Sequence, residues 1–297
     1  MNDLLARQFY KQRKDFEVAA KKRNSELTMP EGIIEQTDIP YADDNDKVHR
    51  MDIYRPENAA DKKLPVIINV HGGGLLLGNK EFNRFFCGQL CTKGYLVFSI
   101  EYGLVPDCQV YDQFNDVSMA FKYIKSNLSD YNGDLEHIYG VADSGGGYLL
   151  AYTAAMAKCH KLAKAAHVKP HDISFNALTF ISGMFYTTKF DKIGLCLPKY
   201  LYGKNYKKTK FAPYLNPEHP DIVTSLPPCF LVTSKKDNLK RYTFNFEKAL
   251  ARHDVLHKLK CFPADKRLTH AFSVFSPELK ESHDTVSAID AFFRKYK

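Results

Sequence analysis

Several features that mark membrane-spanning and secreted proteins are missing from this chain of 297 residues. It contains no run of about 18 apolar residues, so no transmembrane helix is predicted. The N-terminus, MNDLLARQFYKQRKDFEVAA, lacks the uninterrupted apolar segment that a secretion signal needs. The seven cysteines form no C-x-x-C pair, and their odd number favours reduced thiols. We therefore expect a cytoplasmic protein with no membrane partner.

Signatures of nucleic-acid and metal binding are missing as well. The net charge is +8, but the basic residues are spread along the chain, with their densest clusters near the N-terminus and at 204–210. Neither cluster accompanies a helix-turn-helix or RNA-binding motif, so we interpret both as solvated surface and expect no nucleic-acid partner. There is no H-E-x-x-H motif, and we interpret His160, His167 and His171 as surface residues. No metal is expected.

Apolar runs alternate with stretches of helical periodicity along most of the sequence. LPVIINV (64–70) and YLVFSI (95–100) are almost wholly apolar, as central parallel strands covered on both faces would be. Further strands are predicted at 48–54, 138–141, 175–181, 229–233 and 256–262. Helices are predicted at 4–25, 112–127, 148–157, 238–250 and 281–296. This alternation predicts an α/β fold with a mainly parallel sheet covered by helices on both faces.

One long segment, residues 184–225, interrupts the alternation. It separates two predicted strands by far more than an ordinary connection and is rich in aromatic residues. Long insertions in compact domains are often lids or binding elements. Together with the N-terminal helix, this insertion is expected to form a cap over the carboxyl ends of the strands, where ligands of open α/β sheets bind.

The sequence HGGG, residues 71–74, directly follows the predicted strand LPVIINV. Three successive glycines remove every Cβ, so the backbone can approach a substrate and aim its N–H groups at it. A simple turn rarely needs three glycines. A strand followed by HGGG is the arrangement of the oxyanion loop in esterases and lipases.

A second glycine-rich motif, VADSGGG, lies between another predicted strand and a buried helix. This context is typical of a nucleophile elbow, which would present Ser144 at the top of the sheet with the N–H of Gly145 beside it. The usual pattern is G-x-S-x-G, and here Ala142 replaces the first glycine. Because alanine adds only one methyl group, we expect the elbow to be functional.

A serine nucleophile needs a base, and the base needs an acid to orient it. Asp237 follows the predicted strand CFLVT, and His270 follows the last predicted strand, so both are expected at the same edge of the sheet as Ser144. Asp265 also follows a strand but lies only five residues from His270, so Asp237 is favoured. Asp221 and Asp254 fit less well as the acid, and His253, His257 and His283 fit less well as the base.

With these motifs placed, the chain from about residue 48 to its end resembles the hormone-sensitive-lipase-like esterases of the α/β-hydrolase superfamily. The resemblance is carried by HGGG, IEYGLVPD (100–107), DSGGG (143–147), KKDNL (235–239) and THAF (269–272). The family usually has D-Y-R-L-A-P-E at the second motif. Because Glu101 and Gly103 replace its aspartate and arginine, an ion pair of the family is expected to be missing here.

The resemblance implies the α/β-hydrolase fold, with N-terminal cap helices and lead-in over 1–45 and a catalytic domain over 46–297 that carries the 184–225 insertion. It implies a cofactor-free serine carboxylesterase that acts on short-chain acyl esters through an acyl-enzyme. Oligomeric state is left open, with a homo-oligomer among the alternatives. The implied residues are a catalytic triad of Ser144, Asp237 and His270; oxyanion donors at Gly73, Gly74 and Gly145; and substrate contacts at His71, Gly72, Asp143 and Phe272.

Two other functions are compatible with the same motifs. The first is a binding protein that holds a ligand on the hydrolase fold without turnover. The second is a small serine peptidase of the same superfamily, which the HGGG motif disfavours. Hydrolysis of a soluble test ester distinguishes the esterase from both.

Overall fold

The computed structural model describes residues 3–59 and 62–297. It contains eight strands, which are β1 (Ile33–Pro40), β2 (Arg50–Pro56), β3 (Leu64–Val70), β4 (Leu96–Ile100), β5 (Gly133–Asp143), β6 (Ala177–Ile181), β7 (Cys229–Ser234) and β8 (His257–Phe262). Its α-helices are α1 (Leu4–Ser25), α2 (Arg84–Cys91), α3 (Val110–Asn127), α4 (Ser144–Lys158), α5 (His160–Ala165), α6 (Lys192–Cys196), α7 (Pro198–Tyr202), α8 (Pro220–Val223), α9 (Lys240–Arg252), α10 (Phe272–Phe275) and α11 (Lys280–Phe293).

The strands form a single sheet in the order β1-β2-β4-β3-β5-β6-β7-β8. The pairs β1–β2 and β2–β4 are antiparallel, and all other pairs are parallel. This is the α/β-hydrolase fold, as predicted. The carboxyl ends of β3, β5, β7 and β8 therefore meet at one edge of the sheet, and the loops that follow them can present side chains to a common site.

Helices cover both faces of the central strands, so those strands are apolar throughout. Every residue of β4 is buried, and Pro65 is the only residue of β3 that is not. Helix α4 is buried from Ser144 to Met156 because it packs under neighbouring helices as well as against the sheet. Two apolar clusters result, one on each side of the sheet.

Strand β1 was not predicted from the sequence. It lies at the edge of the sheet and pairs on one side only, so most of its residues are partly or fully exposed and it lacks an apolar run. A bulge between Gln36 and Ile39, with Asp38 at φ 58°, breaks its alternation further. The sheet thus begins at residue 33, inside the segment that the sequence analysis assigned to the lead-in.

Helix α1 lies over the sheet edge that carries the glycine-rich loops. Asp3 caps its N-terminus by accepting a hydrogen bond from the backbone N–H of Ala6. Arg23, near the C-terminus of α1, stacks on the ring of Phe82 at 3.8 Å and donates to the carbonyl oxygens of Phe82 and Val274. These contacts hold a strongly charged helix against the body of the protein. Within the described residues, no helix is long and apolar enough to cross a membrane.

Candidate active site

Ser144 lies at the junction between β5 and α4. Strand β5 ends at Asp143 and the helix begins at the serine, whose φ of +44° places it in the left-handed region. Such a conformation is strained for a residue with a Cβ and is kept where a side chain must be presented at a tight turn. Ala142 is fully buried between its strand partners Val70 and Phe180, so its methyl group fits within the sheet without displacing the turn.

His270 lies beside Ser144 and connects it to Asp237. The Nε2 atom of His270 is 2.8 Å from Oγ of Ser144, and its Nδ1 atom is 2.8 Å from Oδ1 of Asp237. Asp237 is buried and also accepts hydrogen bonds from the Thr233 hydroxyl and from the backbone N–H of Leu239. Burial alone would raise the pKa of Asp237, but the hydrogen bond from His270 and its other donors lower it, so the carboxylate stays charged.

Hydroxyl groups at the ends of two strands fix the loop that carries His270. The Ser182 hydroxyl, just after β6, accepts from the backbone N–H of Ala271 at 3.0 Å. The Ser234 hydroxyl, at the end of β7, donates to the carbonyl oxygen of Leu268. Ala271 itself has a φ of +48°. Anchors on both sides of His270 restrict where its ring can lie, and no sequence pattern predicted them.

The other carboxylates considered from the sequence lie elsewhere. Asp265 pairs with Arg267, and this hydrogen-bonded ion pair lowers the pKa of its carboxyl to about 2. Asp221 accepts from the hydroxyl of Tyr214. Asp254 lies in the turn before β8, at the far end of that strand. Of the four carboxylates, Asp237 alone contacts His270.

The HGGG loop follows β3 and lies against the start of α4. Gly73 and Gly74 have φ values of +117° and +63°, which L side chains rarely adopt. A Cβ built on Gly145 would lie 2.9 Å from the backbone nitrogen of Gly74, so the loop and the helix N-terminus are in close contact. The loop therefore lies directly beside the N-terminus of α4, where the first backbone N–H groups have no partner within the helix.

Asp143 and His71 hold this loop in place through buried polar contacts. Asp143 accepts from the backbone N–H of Gly72 and from the Asn83 amide, both at 2.9 Å. His71 stacks on Tyr102 and contacts Glu101 at 2.7 Å. Burial would lower the pKa of His71, but its ion pair with Glu101 raises it. Both side chains also line the cavity. Their polar contacts position the loop, and their predicted contact with substrate stays a prediction.

An ion pair is present at the IEYGLVPD motif, although from a source that the sequence did not reveal. Nη1 of Arg13, on α1, lies 2.6 Å from Asp107, while its Nε and Nη2 donate to the carbonyl oxygens of Leu76 and Val105. This pair does not involve the two positions where the family has aspartate and arginine. Glu101 contacts His71, and Gly103 has no side chain, so those two positions form no ion pair with each other here.

A cavity of about 840 Å³ opens above Ser144 and His270. Its apolar walls come from both segments that were expected to form a cap, with Leu5, Phe9 and Phe16 on α1 and Ile193 and Leu197 in the 184–225 segment. Gly72, Gly73 and Gly74 lie along its floor. Apolar side chains thus border the space next to the serine hydroxyl.

Phe272 is not among the cavity-lining residues, contrary to the expectation that it contacts substrate. It is buried and packs edge-on against Phe262 on the opposite side of α10. Phe275, one helical turn later, lines the cavity instead. The THAF motif places its aromatic ring behind the His270 loop, where it supports that loop.

Metal-ligating side chains do not cluster within residues 3–59 and 62–297. Of the three histidines interpreted as surface residues, His171 is buried instead. Its ring lies edge-on to Phe121 and accepts from the backbone N–H of Ile173. Burial lowers its pKa to about 4, so this histidine is a neutral part of the core.

Comparison with known proteins finds a matching family model and relatives that are described as esterases. A model of the BD-FAE family matches residues 51–245. The chain is 26% identical over 198 residues to a probable isoprenylcysteine alpha-carbonyl methylesterase of Arabidopsis thaliana, covering 64% of this chain and 41% of that protein. It is 30% identical over 123 residues to the esterase LipQ of Mycobacterium tuberculosis, covering 41% and 29%. The chain thus spans less than half the length of these curated relatives.

Solved structures share the whole fold. Esterase B of Lactobacillus rhamnosis, with a tributyrin phosphonate inhibitor, superimposes with a TM-score of 0.92 at 22% identity, covering 100% of this chain and 96% of that one. A bacterial heroin esterase superimposes with a TM-score of 0.73 at 21% identity, covering 95% and 90%. At this level of identity, the likeness establishes the shared fold.

Proposed function

The chain belongs to the BD-FAE family of hormone-sensitive-lipase-like α/β-hydrolases, and from that membership we propose that it is a serine carboxylesterase for short-chain acyl esters. The observation that carries the proposal is the hydrogen-bonded series Ser144, His270 and Asp237 beneath an apolar cavity. Relatives described as esterases support it. The seven unpaired cysteines support a cytoplasmic location.

In the proposed mechanism, Ser144 attacks the ester carbonyl carbon while Nε2 of His270 accepts the hydroxyl proton. Asp237 holds the ring so that Nδ1–H faces its carboxylate, and it stabilises the imidazolium that forms. His270 then returns the proton to the leaving alcohol oxygen, which leaves an acyl group on Ser144. A water molecule, deprotonated by the same nitrogen, cleaves the acyl-enzyme and releases the carboxylic acid.

The tetrahedral intermediate places a negative charge on the former carbonyl oxygen. We assign the N–H groups of Gly73, Gly74 and Gly145 to that oxygen, because the contact between Gly74 and Gly145 brings loop and helix donors to one point. The N-terminus of α4 adds its partial positive charge. Each well-placed donor typically lowers the barrier by about 3 kcal/mol.

The cavity is suited to the binding of small, apolar acyl groups. Leu5, Phe9 and Phe16 line it on the side of α1, and its floor is the glycine loop next to Ser144. A concave apolar pocket of this kind favours ligands that fit inside it over those that extend beyond it. We therefore propose acyl chains of roughly two to six carbons, the range that the family resemblance implies.

Hydrolysis of p-nitrophenyl esters of increasing acyl length tests the proposal. We expect turnover with an initial burst of p-nitrophenol, and a maximum of kcat/KM among the short esters. The Ser144→Ala variant is the control, and it should remain folded and lose the burst. An inert wild-type protein that still binds these esters would support the binding-protein alternative, and faster cleavage of peptides than of esters would support the peptidase.

A further inference from the structure

Positive charge is concentrated in two segments that lie far apart in the sequence. Helix α1 carries seven basic and two acidic residues, a net charge of +5. Residues 184–225 carry seven lysines and three acidic residues, a net charge of +4. Together they carry +9, whereas the whole chain carries +8, so the remaining residues sum to −1. Essentially all of the protein's excess positive charge lies in these two segments.

The fold brings the two segments together over the cavity. The hydroxyl of Tyr200 donates to Asp3 at the start of α1, and the rings of Phe9 and Tyr200 lie 5.1 Å apart. Both segments contribute walls to the cavity above Ser144. We call α1 and residues 184–225 together the roof. Its inner side faces the proposed substrate site and is mainly apolar, with Gln8, Gln12 and Lys192 among its apolar residues.

The outer side of the roof combines exposed apolar side chains with lysines. Phe190 is 95% exposed, Leu4 76%, Leu195 66% and Val18 64%. Leu5, Phe9 and Phe16 of α1 lie on the cavity side, so the helical period of 3.6 residues places Lys14, Val18 and Lys21 on the opposite, outer face.

These features are complementary to the surface of an anionic lipid bilayer. A face that carries both basic and large apolar side chains binds in the interface between headgroups and acyl chains, where lysines contact anionic lipids. A nucleic acid would complement the lysines but offers no apolar phase for Phe190 and Leu195.

We propose that the roof docks the protein on the surface of an anionic lipid bilayer, with the mouth of the cavity close to that surface. This inference goes beyond the proposed esterase activity and concerns the bilayer surface, since no described helix can cross a membrane. It departs from the expectation of no membrane partner. The sequence pattern alone showed scattered basic residues, because only the folded chain joins residues 4–25 with residues 184–225.

Cosedimentation with vesicles tests the proposal on the full chain. We expect binding to phosphatidylcholine vesicles that contain phosphatidylglycerol, little binding to pure phosphatidylcholine, and release at high salt. Neutralising three exposed lysines of α1, as Lys14→Gln, Lys21→Gln and Lys22→Gln combined, should weaken partitioning about hundredfold, or roughly fivefold for each lysine. None of the three lines the cavity.

The matched control neutralises three exposed lysines at the opposite edge of the sheet. Lys62 and Lys63 directly precede β3, and Lys169 lies in the loop before β6. The combined Lys62→Gln, Lys63→Gln and Lys169→Gln variant makes the same change in net charge and should bind vesicles as well as the wild type. Circular dichroism of both variants checks that they fold.

The absence of tryptophan from the sequence gives a second, site-specific measurement. Phe190→Trp places the only tryptophan of the chain on the roof. When this tryptophan is excited selectively, its emission should shift to the blue on addition of phosphatidylglycerol vesicles. Leu256→Trp is the control, because Leu256 is 63% exposed and precedes β8 at the opposite edge. Its emission should not change.

Four results would overturn the proposal. They are failure of the wild type to bind anionic vesicles, equal binding to neutral and anionic vesicles, equal loss of binding in both triple variants, and unchanged emission from Phe190→Trp on bound vesicles. Ester hydrolysis is not needed for any of these measurements. The docking proposal and the esterase proposal can therefore fail separately.

Discussion

Gly146 lies where the first turn of α4 passes under the HGGG loop, and it offers a sharp test of how tightly the elbow is packed. A Cβ at this position would lie 2.1 Å from the carbonyl oxygen of Val70 and 2.4 Å from that of His71. Both are backbone atoms at the end of β3, so Gly146→Ala must move either the helix or the oxyanion loop. Overpacking typically costs about 1–3 kcal/mol, and a clash with backbone on two sides belongs at the upper end.

The neighbouring Gly147 provides a matched control. A Cβ there would lie 3.3 Å from Cα of Gly183 and 3.6 Å from the Phe180 ring, so a shift of a few tenths of an ångström accommodates it. Neither glycine has a positive φ. Alanine also gains up to about 1 kcal/mol over glycine in a helix, which offsets much of the remaining cost. Gly147→Ala should therefore be close to neutral.

Thermal unfolding and kcat/KM for p-nitrophenyl acetate measure both effects. For Gly146→Ala we expect a loss of about 3 kcal/mol in the free energy of unfolding, or roughly 6–12 °C in Tm. A displacement of about 1 Å in the oxyanion loop should also lower kcat/KM about hundredfold. If Gly146→Ala and Gly147→Ala were equally stable and equally active, the close packing of elbow and loop described here would be refuted.

Three further predictions concern the elbow, the triad and the core. Ala142→Gly should change kcat/KM by less than about tenfold, whereas Ala142→Val should crowd the buried turn and lower stability by about 1–3 kcal/mol; activity gained only on Ala142→Gly would show a disabled elbow. As pH falls from about 8 to 5, kcat/KM should drop with a single-proton slope, because His270 is the base and Asp237, with its lowered pKa, stays ionised; a flat profile would exclude histidine as the base. Burial lowers the pKa of His171 from 6.5 to about 4, so between these pH values the unfolded chain binds a proton that the folded chain excludes. The free energy of unfolding should therefore decrease by up to about 3 kcal/mol as pH is lowered from 6.5 to 4. His171→Gln should flatten this part of the plot of stability against pH, and an unchanged plot would contradict the assignment.

The residues that could be predicted are those whose position follows from a single strand. Ser144 and the HGGG loop directly follow the apolar strands β5 and β3, and Asp237 and His270 lie in the loops after β7 and β8. The carboxyl ends of these parallel strands share one edge of the sheet. The central strands could also be identified, because burial on both faces leaves an apolar run. The proximity of these residues therefore follows from strand ends, whereas their catalytic roles stay predictions.

What could not be predicted depends on contacts between distant segments. The Arg13–Asp107 ion pair joins α1 to a loop, and no local pattern marks it. Strand β1 is polar because it lies at an edge. Which aromatic ring faces the cavity depends on how the short helix α10 is oriented, so Phe275 rather than Phe272 lines it. In each case, packing between elements decides the outcome.

The central claim is that Ser144 is a nucleophile activated by His270. Mass spectrometry after brief treatment with a stoichiometric p-nitrophenyl phosphonate ester tests it most directly, because such a reagent reacts fastest with an activated hydroxyl. We expect one adduct per chain, located on Ser144, absent from Ser144→Ala and formed far more slowly by folded His270→Ala. An adduct on another residue, or undiminished labelling of His270→Ala, would contradict the account.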